Sequence, residues 1–168
     1  MRVRRGILSI FLAGLLAISA QAQESAGPFG GMRHDNSLPI EMTADSLTIS
    51  QADSSAEFAG NVRIGQGSLH ITADKVTVKY AAGEDGATGQ IDNIQAFGHV
   101  LLTNGAETAE GDMAVYNVAT GLVVMTGNVL LTQGNNALSG DSLNINLETG
   151  VAGVEGNVKT IFQPGTGQ

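Results

Sequence analysis

The 168-residue chain has no cysteine and no tryptophan, three prolines, and aromatics at only 4% of its residues. Without cysteine no disulfide can staple the fold, and no lipid can be attached to a cysteine after the N-terminal apolar run. The stability of an exported chain of this kind has to come from packing alone. Without tryptophan and with few other aromatics, a stacking groove for sugars is not expected. Basic residues are scarce too, eight against sixteen acidic ones. That balance argues against nucleic acid and against anionic membrane surfaces as partners. No glycine-rich phosphate loop ends in Lys-Ser or Lys-Thr, and no serine sits in a nucleophile-elbow pattern. His34, His70 and His99 are scattered without metal-ligand spacing. The expectation is no enzyme, no cofactor and no metal.

The N-terminus reads as an address. Met1 to Arg5 is basic, Ile7 to Ala20 is an uncharged apolar run, and Ala20-Gln21-Ala22 is a small-x-small cleavage site. The run is 14 residues long, short of the roughly 20 needed to span a bilayer. A secretory signal peptide over 1–22 is expected, with cleavage before Gln23. Its removal takes away Arg2, Arg4 and Arg5 and no acid. That leaves five basic residues against sixteen acidic, net −11. Residues 23–37 hold Gly27, Pro28, Gly30 and Gly31 with no periodicity, and read as a flexible leader. Residues 38–162 form the domain, and 163–168 a short loose tail.

What the domain does have is a repeat. Gly60-Asn61-Val62, Gly98-His99-Val100, Gly127-Asn128-Val129 and Gly156-Asn157-Val158 alternate with Ala44-Asp45, Ala73-Asp74, Gly111-Asp112 and Gly140-Asp141. Aspartate to the next glycine is 15 residues, and glycine to the next aspartate is 14. The exception is Asp74 to Gly98, at 24. A period of 29 residues made of two similar arms means stacked supersecondary units. The extra stretch Ala82 to Gly89 reads as an acidic, glycine-rich surface loop.

Within each arm, apolar and polar residues alternate with period two, the pattern of half-buried strands. In the glycine arms the parity is unbroken: Ala56, Phe58, Gly60, Val62 and Ile64, for example, share one face. In the aspartate arms the parity switches at the aspartate, as Leu69 and Ile71 give way to Val76, Val78 and Tyr80. One residue gained at each aspartate suggests a β-bulge there, with a glycine kink in the other arm. Short turns at Gly65-Gln66-Gly67, Asn104-Gly105, Gly134-Asn135 and Thr149-Gly150 imply hairpins. The expected fold is all-β: an antiparallel meander of eight long creased strands, about sixteen short ones if each crease is counted. Stacked creases give an open V-shaped sheet. A parallel β-helix of the same period is the alternative. The recurring aspartates read as structural, accepting backbone N–H groups left unpaired by the bulges.

The order and spacing of Leu38-Pro-Ile-Glu-Met-Thr-Ala-Asp-Ser-Leu47, Phe58-Ala-Gly-Asn-Val62, His70-Ile-Thr-Ala-Asp-Lys-Val-Thr-Val78, Thr126-Gly-Asn-Val129 and Leu138-Ser-Gly-Asp-Ser-Leu143 resemble the OstA-like family over about residues 38–162. The resemblance implies a creased antiparallel β-jellyroll, open along one side, that shields lipopolysaccharide acyl chains in the periplasm. It implies head-to-tail self-association and a bridge to inner-membrane and outer-membrane transport proteins of the same fold. Strand parity then selects the lipid-binding residues. In the first three arms these are Ile40, Met42, Ile49, Phe58, Val62, Ile64, Ile71 and Val78. Further along they are Val100, Leu102, Tyr116, Met125, Leu131 and Ile145. Arg63, Thr77, Lys79 and Asn144 belong to the outer face. An exported β-helical adhesin or polysaccharide-active protein is the rival reading.

Overall fold

A computed structural model describes residues 31–83 and 86–163, the side chains of 86–88 excepted. The expected signal peptide, most of the leader and most of the tail lie outside the described residues. Strands β1 (Glu41–Thr43), β2 (Ser46–Ser50), β3 (Ser55–Gln66), β4 (Leu69–Gly83) and β5 (Gly86–Asn104) are followed by β6 (Glu107–Asn117), β7 (Leu122–Gln133) and β8 (Asn136–Asn146). The last two are β9 (Val151–Glu155) and β10 (Lys159–Ile161). Among the described residues there is no helix.

The strands form one sheet in the order β1-β3-β4-β5-β6-β7-β8-β10, with β2 also on β3 and β9 also on β8. Every pairing is antiparallel, which excludes the parallel β-helix. β1 and β2 are two halves of one arm, and so are β9 and β10. Each continuous strand bends at its crease and contributes one half to each of two facing walls. The first wall holds β1, β10 and the glycine-to-turn halves of β3, β5 and β7, with the turn-to-aspartate halves of β4, β6 and β8 between them. The second holds β2, β9 and the remaining halves.

The register locates the extra residue in the other arm from the one expected. Ala59 pairs with Lys75 and Val62 with Ala73, so Gly60 and Asn61 together face Asp74 alone. The same two-against-one count recurs at Gly98-His99 opposite Asp112 and at Gly127-Asn128 opposite Asp141. The bulge therefore belongs to the glycine arm. Parity survives there because the glycine arm crosses the bend in an even step, Phe58 to Val62, whereas the aspartate arm crosses it in an odd one, Ala73 to Val76.

Both bulge residues are left-handed: φ is 82° at Gly127 and 49° at Asn128. Glycine takes that geometry without strain, and asparagine is the side chain that tolerates it best. A second reason fixes the glycine. A Cβ at Gly127 would collide with the Asp112 carboxylate, and Gly60, Gly98 and Gly156 have the same relation to Asp45, Asp74 and Asp141. The glycine thus makes room for an aspartate on the outside of the crease, rather than for a close backbone inside.

The insertion at 82–89 differs from the expected loop. Ala82 pairs with Ala87 and Gly83 with Gly86, so it lengthens β4 and β5 into a longer hairpin. Alanine and glycine carry no alternation to reveal a strand, yet neither prevents the backbone ladder from running on.

Candidate functional site

The faces of the two walls that look at each other are lined by aliphatic side chains from consecutive arms. Val62, Ile64, Ile71, Val78, Val100, Leu102, Tyr116, Met125, Leu131 and Ile145 are all buried in one cluster. Ile40, Met42 and Phe58 are half-buried against it. Of the inward set, Ile49 alone is strongly exposed, at 68%, because it stands on the outermost strand β2 with no further arm beside it. Arg63 is exposed, and Thr77, Lys79 and Asn144 are half-buried on the other parity. The sequence-derived faces are therefore the faces of the fold. The interior is closed as it stands: Leu102, Met125, Leu131 and Ile145 have no exposed surface.

The cluster comes to the surface at both ends of the stack. At the first end, Leu47 is 53% exposed beside Ile49. At the last, Ala152 and Val154 of β9 are half-buried against it, and Val158, on the same parity, is 51% exposed. These are strand edges with apolar side chains, the kind of surface that another strand can extend.

Along the outside of the crease runs a ladder of polar pairs. Asn61 Nδ2 donates to Asp45 at 2.8 Å, Asn128 Nδ2 to Asp112 at 3.2 Å, and Asn157 Nδ2 to Asp141 at 2.9 Å. In the fourth rung, His99 Nδ1 lies 2.8 Å from Asp74 Oδ2. The aspartate main chain takes part as well, since Asp45 N and Asp141 N donate to the carbonyls of Gly60 and Gly156. The carboxylates were expected to cap backbone amides, but their partners are the side chains of the bulge itself. In the His99 rung, the hydrogen bond to Asp74 and then the Asp74 charge hold the imidazole above its usual pKa. Among the described residues no group of three or more His, Asp or Glu side chains is placed to hold a metal ion.

The rim opposite the crease contains residues the sequence reading missed. Gln66, Asn104 and Glu107 are buried polar side chains at the first wall's turns. They hold residues 31–38, that is, the described part of the expected leader (31–37) and the first residue of the expected domain. Glu107 Oε1 accepts the Gly31 N–H at 2.7 Å. Asn104 Nδ2 donates to the Gly31 and Arg33 carbonyls. Gln66 Nε2 donates to the Asn36 and Leu38 carbonyls, both at 2.8 Å. From the second wall, the Leu147 carbonyl accepts the His34 N–H at 2.8 Å, and the Val118 carbonyl accepts from Asn36 Nδ2. Between these anchors Met32 is fully buried.

Residues 31–38 therefore cross from one wall to the other as a strap, which corrects the flexible-leader reading for this stretch. Tyr116 belongs to the same network: its hydroxyl donates to Gln66 Oε1 at 2.9 Å, and burial pushes its pKa up to about 12. A signal was present in the sequence. Gln66, Asn104 and Gln133 continue the inward parity of 62-64, 100-102 and 129-131, and a polar residue at an inward position implies a buried partner.

Comparison with known proteins follows this geometry. The family description LptA/(LptD N-terminal domain) LPS transport protein matches residues 41–151. An uncharacterised protein of Rhizobium meliloti (strain 1021) is 34% identical over 116 residues, which are 67% of this chain and 62% of that protein. The chain thus matches less than two thirds of that relative's length. The crystal structure of LptH, the LptA-homologous periplasmic component of the conserved lipopolysaccharide transport device from Pseudomonas aeruginosa, superposes with a TM-score of 0.66 at 20% identity. The match covers 77% of this chain and 99% of that one. The likeness is one of fold, the open antiparallel β-jellyroll. With more than half of its length matched, from Glu41 to Val151, the chain belongs to the LptA/LptD N-terminal domain family of lipopolysaccharide transport proteins.

Proposed function

We propose that the protein is a non-enzymatic periplasmic carrier that shields lipopolysaccharide acyl chains between its two walls and bridges the inner and outer membranes. The observation that carries this reading is the aliphatic interior, which passes from arm to arm and emerges at both ends, at Leu47 and Ile49 and at Val154 and Val158. Family membership supports lipopolysaccharide as the cargo.

The energetics suit a carrier. Taking one methylene out of water is worth about 0.8 kcal/mol, so about ten per acyl chain give roughly 8 kcal/mol. Escape into water is then slow. Sliding past repeated arms with the same lining keeps the burial nearly constant, so movement along the groove meets a low barrier. Because the interior is filled without lipid, loading requires the walls to part. Partners of the same fold would meet the exposed end strands and continue the groove into the next protein.

The test is binding of fluorescent lipopolysaccharide to the purified chain. Saturable binding that survives high salt and is displaced by unlabelled lipid A is expected. Binding lost with added salt would indicate surface charge instead, and no binding would overturn the reading.

A further inference from the structure

We propose that residues 31–38 are an internal competitor for the lipid, a strap that closes the open side of the jellyroll and must leave before acyl chains enter. The inference rests on the carrier reading above. Three observations lead to it.

The strap lies in the opening itself. Its backbone is held at one rim by Gln66, Asn104 and Glu107, and at the other by the Leu147 carbonyl. The strap's own side chains add one hydrogen bond each, from Arg33 and Asn36 to the Thr149 and Val118 carbonyls, and single hydrogen bonds of this kind leave it exchangeable. Met32, moreover, sits where an acyl chain would sit. It is fully buried in the main cluster, and an unbranched, flexible thioether is the side chain nearest to a short alkyl chain.

The closed state is also imperfectly satisfied. Glu107 Oε2 and His34 Nε2 are buried without a hydrogen-bond partner. Each is a desolvated polar atom that gains water when the strap departs. Closure is thus held by Met32 and a few hydrogen bonds, and opposed by two unpaired atoms. Such a balance leaves an open minority that lipid can capture, and the apparent affinity is the intrinsic one multiplied by the open fraction.

The experiment follows hydrogen exchange at the His34 amide of the folded, purified chain, with and without purified lipopolysaccharide. Binding of fluorescent lipopolysaccharide to wild type and to Met32→Asp is measured in parallel. Lipid should speed exchange at His34 while amides in the middle of β5 to β7 stay protected. Met32→Asp should bind about fivefold more tightly or more, as expected when the closed state is weakened. Asn104→Ala, which removes two strap bonds and leaves Met32 in place, serves if Met32→Asp does not fold. The strap proposal is overturned if wild type binds lipid while His34 stays protected, or if a folded strap variant binds no better. Absence of binding by both wild type and the strap variants would overturn the carrier reading, and the strap proposal with it.

Discussion

His99 and Asp74 form the one rung of the outer ladder in which a histidine replaces asparagine, with Nδ1 2.8 Å from Oδ2 and the imidazole in solvent. The pair sits where β4 and β5 cross the crease, and it gives the spine a titratable member. The Asp74 hydrogen bond raises the His99 pKa above 6.5. A group whose pKa is higher folded than unfolded adds stability that is fully present below the unfolded value. That contribution is lost as pH rises through the folded value. Thermal unfolding of wild type should therefore show a small decline in Tm as pH rises from about 6.5. His99→Asn, which restores the rung of the other repeats, should flatten that slope. An equal slope in both proteins would mean that the rung contributes nothing to pH dependence.

Gly127 should be far less replaceable than a surface glycine. Its φ of 82° strains any L-residue, and a Cβ would strike the Asp112 carboxylate. Gly127→Ala is expected to cost about 2–4 kcal/mol in urea unfolding. In an Asp112→Ala background the clash with the carboxylate is removed, while the contact with the Cβ of residue 112 and the backbone strain remain. The second cost should be smaller by about 1 kcal/mol or more, a coupling typical of residues in contact. Additive costs would mean that the carboxylate does not govern the choice of glycine.

Asp112→Ala by itself should be mild. The pair with Asn128 is exposed and joins two side chains, so a loss of about 0.5–1.5 kcal/mol is expected. The stability of the wild type should not respond to chelators. A Tm that shifts strongly with EDTA or added divalent cation would reveal a metal on the ladder.

The repeat makes most of the fold legible in the sequence. The 29-residue period and the parity define arms and faces, the turn residues point to antiparallel order, and the buried set from Val62 to Ile145 follows from parity. The arm that carries the bulge was not legible, because a bulge is a mismatch between two strands. Gly60-Asn61 opposite Asp74 can be counted only once the register is known. The strap was hidden for a different reason. Its bonds at Gly31, Arg33, His34 and Leu38 are made by main-chain groups, so the strap residues themselves show no pattern and only their inward polar partners Gln66 and Asn104 mark it. The hairpin extension at 82–89 was hidden by its glycine and alanine content.

Tyr116 tests the buried rim. Tyr116→Phe keeps the ring but leaves Gln66 Oε1 without its donor. A loss of about 1–3 kcal/mol is expected in denaturant unfolding. In ultraviolet titration the wild-type phenol should ionise near 12. Because that value lies above the unfolded one, its contribution to stability declines from pH of about 10 upward. Normal titration near 10 would show that the site opens to water.

The exposed ends should mediate association between chains. Val151→Asp with Ile161→Asp alters one end, and Leu47→Asp with Ile49→Asp the other. Either pair should weaken self-association in sedimentation by about tenfold or more, roughly 1.4 kcal/mol. The monomer should stay folded, since these side chains are already in solvent. A strict monomer at high concentration in the wild type would rule out this contact.

The central claim is that lipid lies between the walls, and site-resolved photo-crosslinking in cells tests it most directly. A photoreactive amino acid at Phe58 or Met125, on the inward parity, should capture lipopolysaccharide. The same amino acid at Arg63 or Asn144, on the other parity, should not. Capture at the first pair alone is the predicted result. Equal capture at all four positions, or capture at none, would contradict the account.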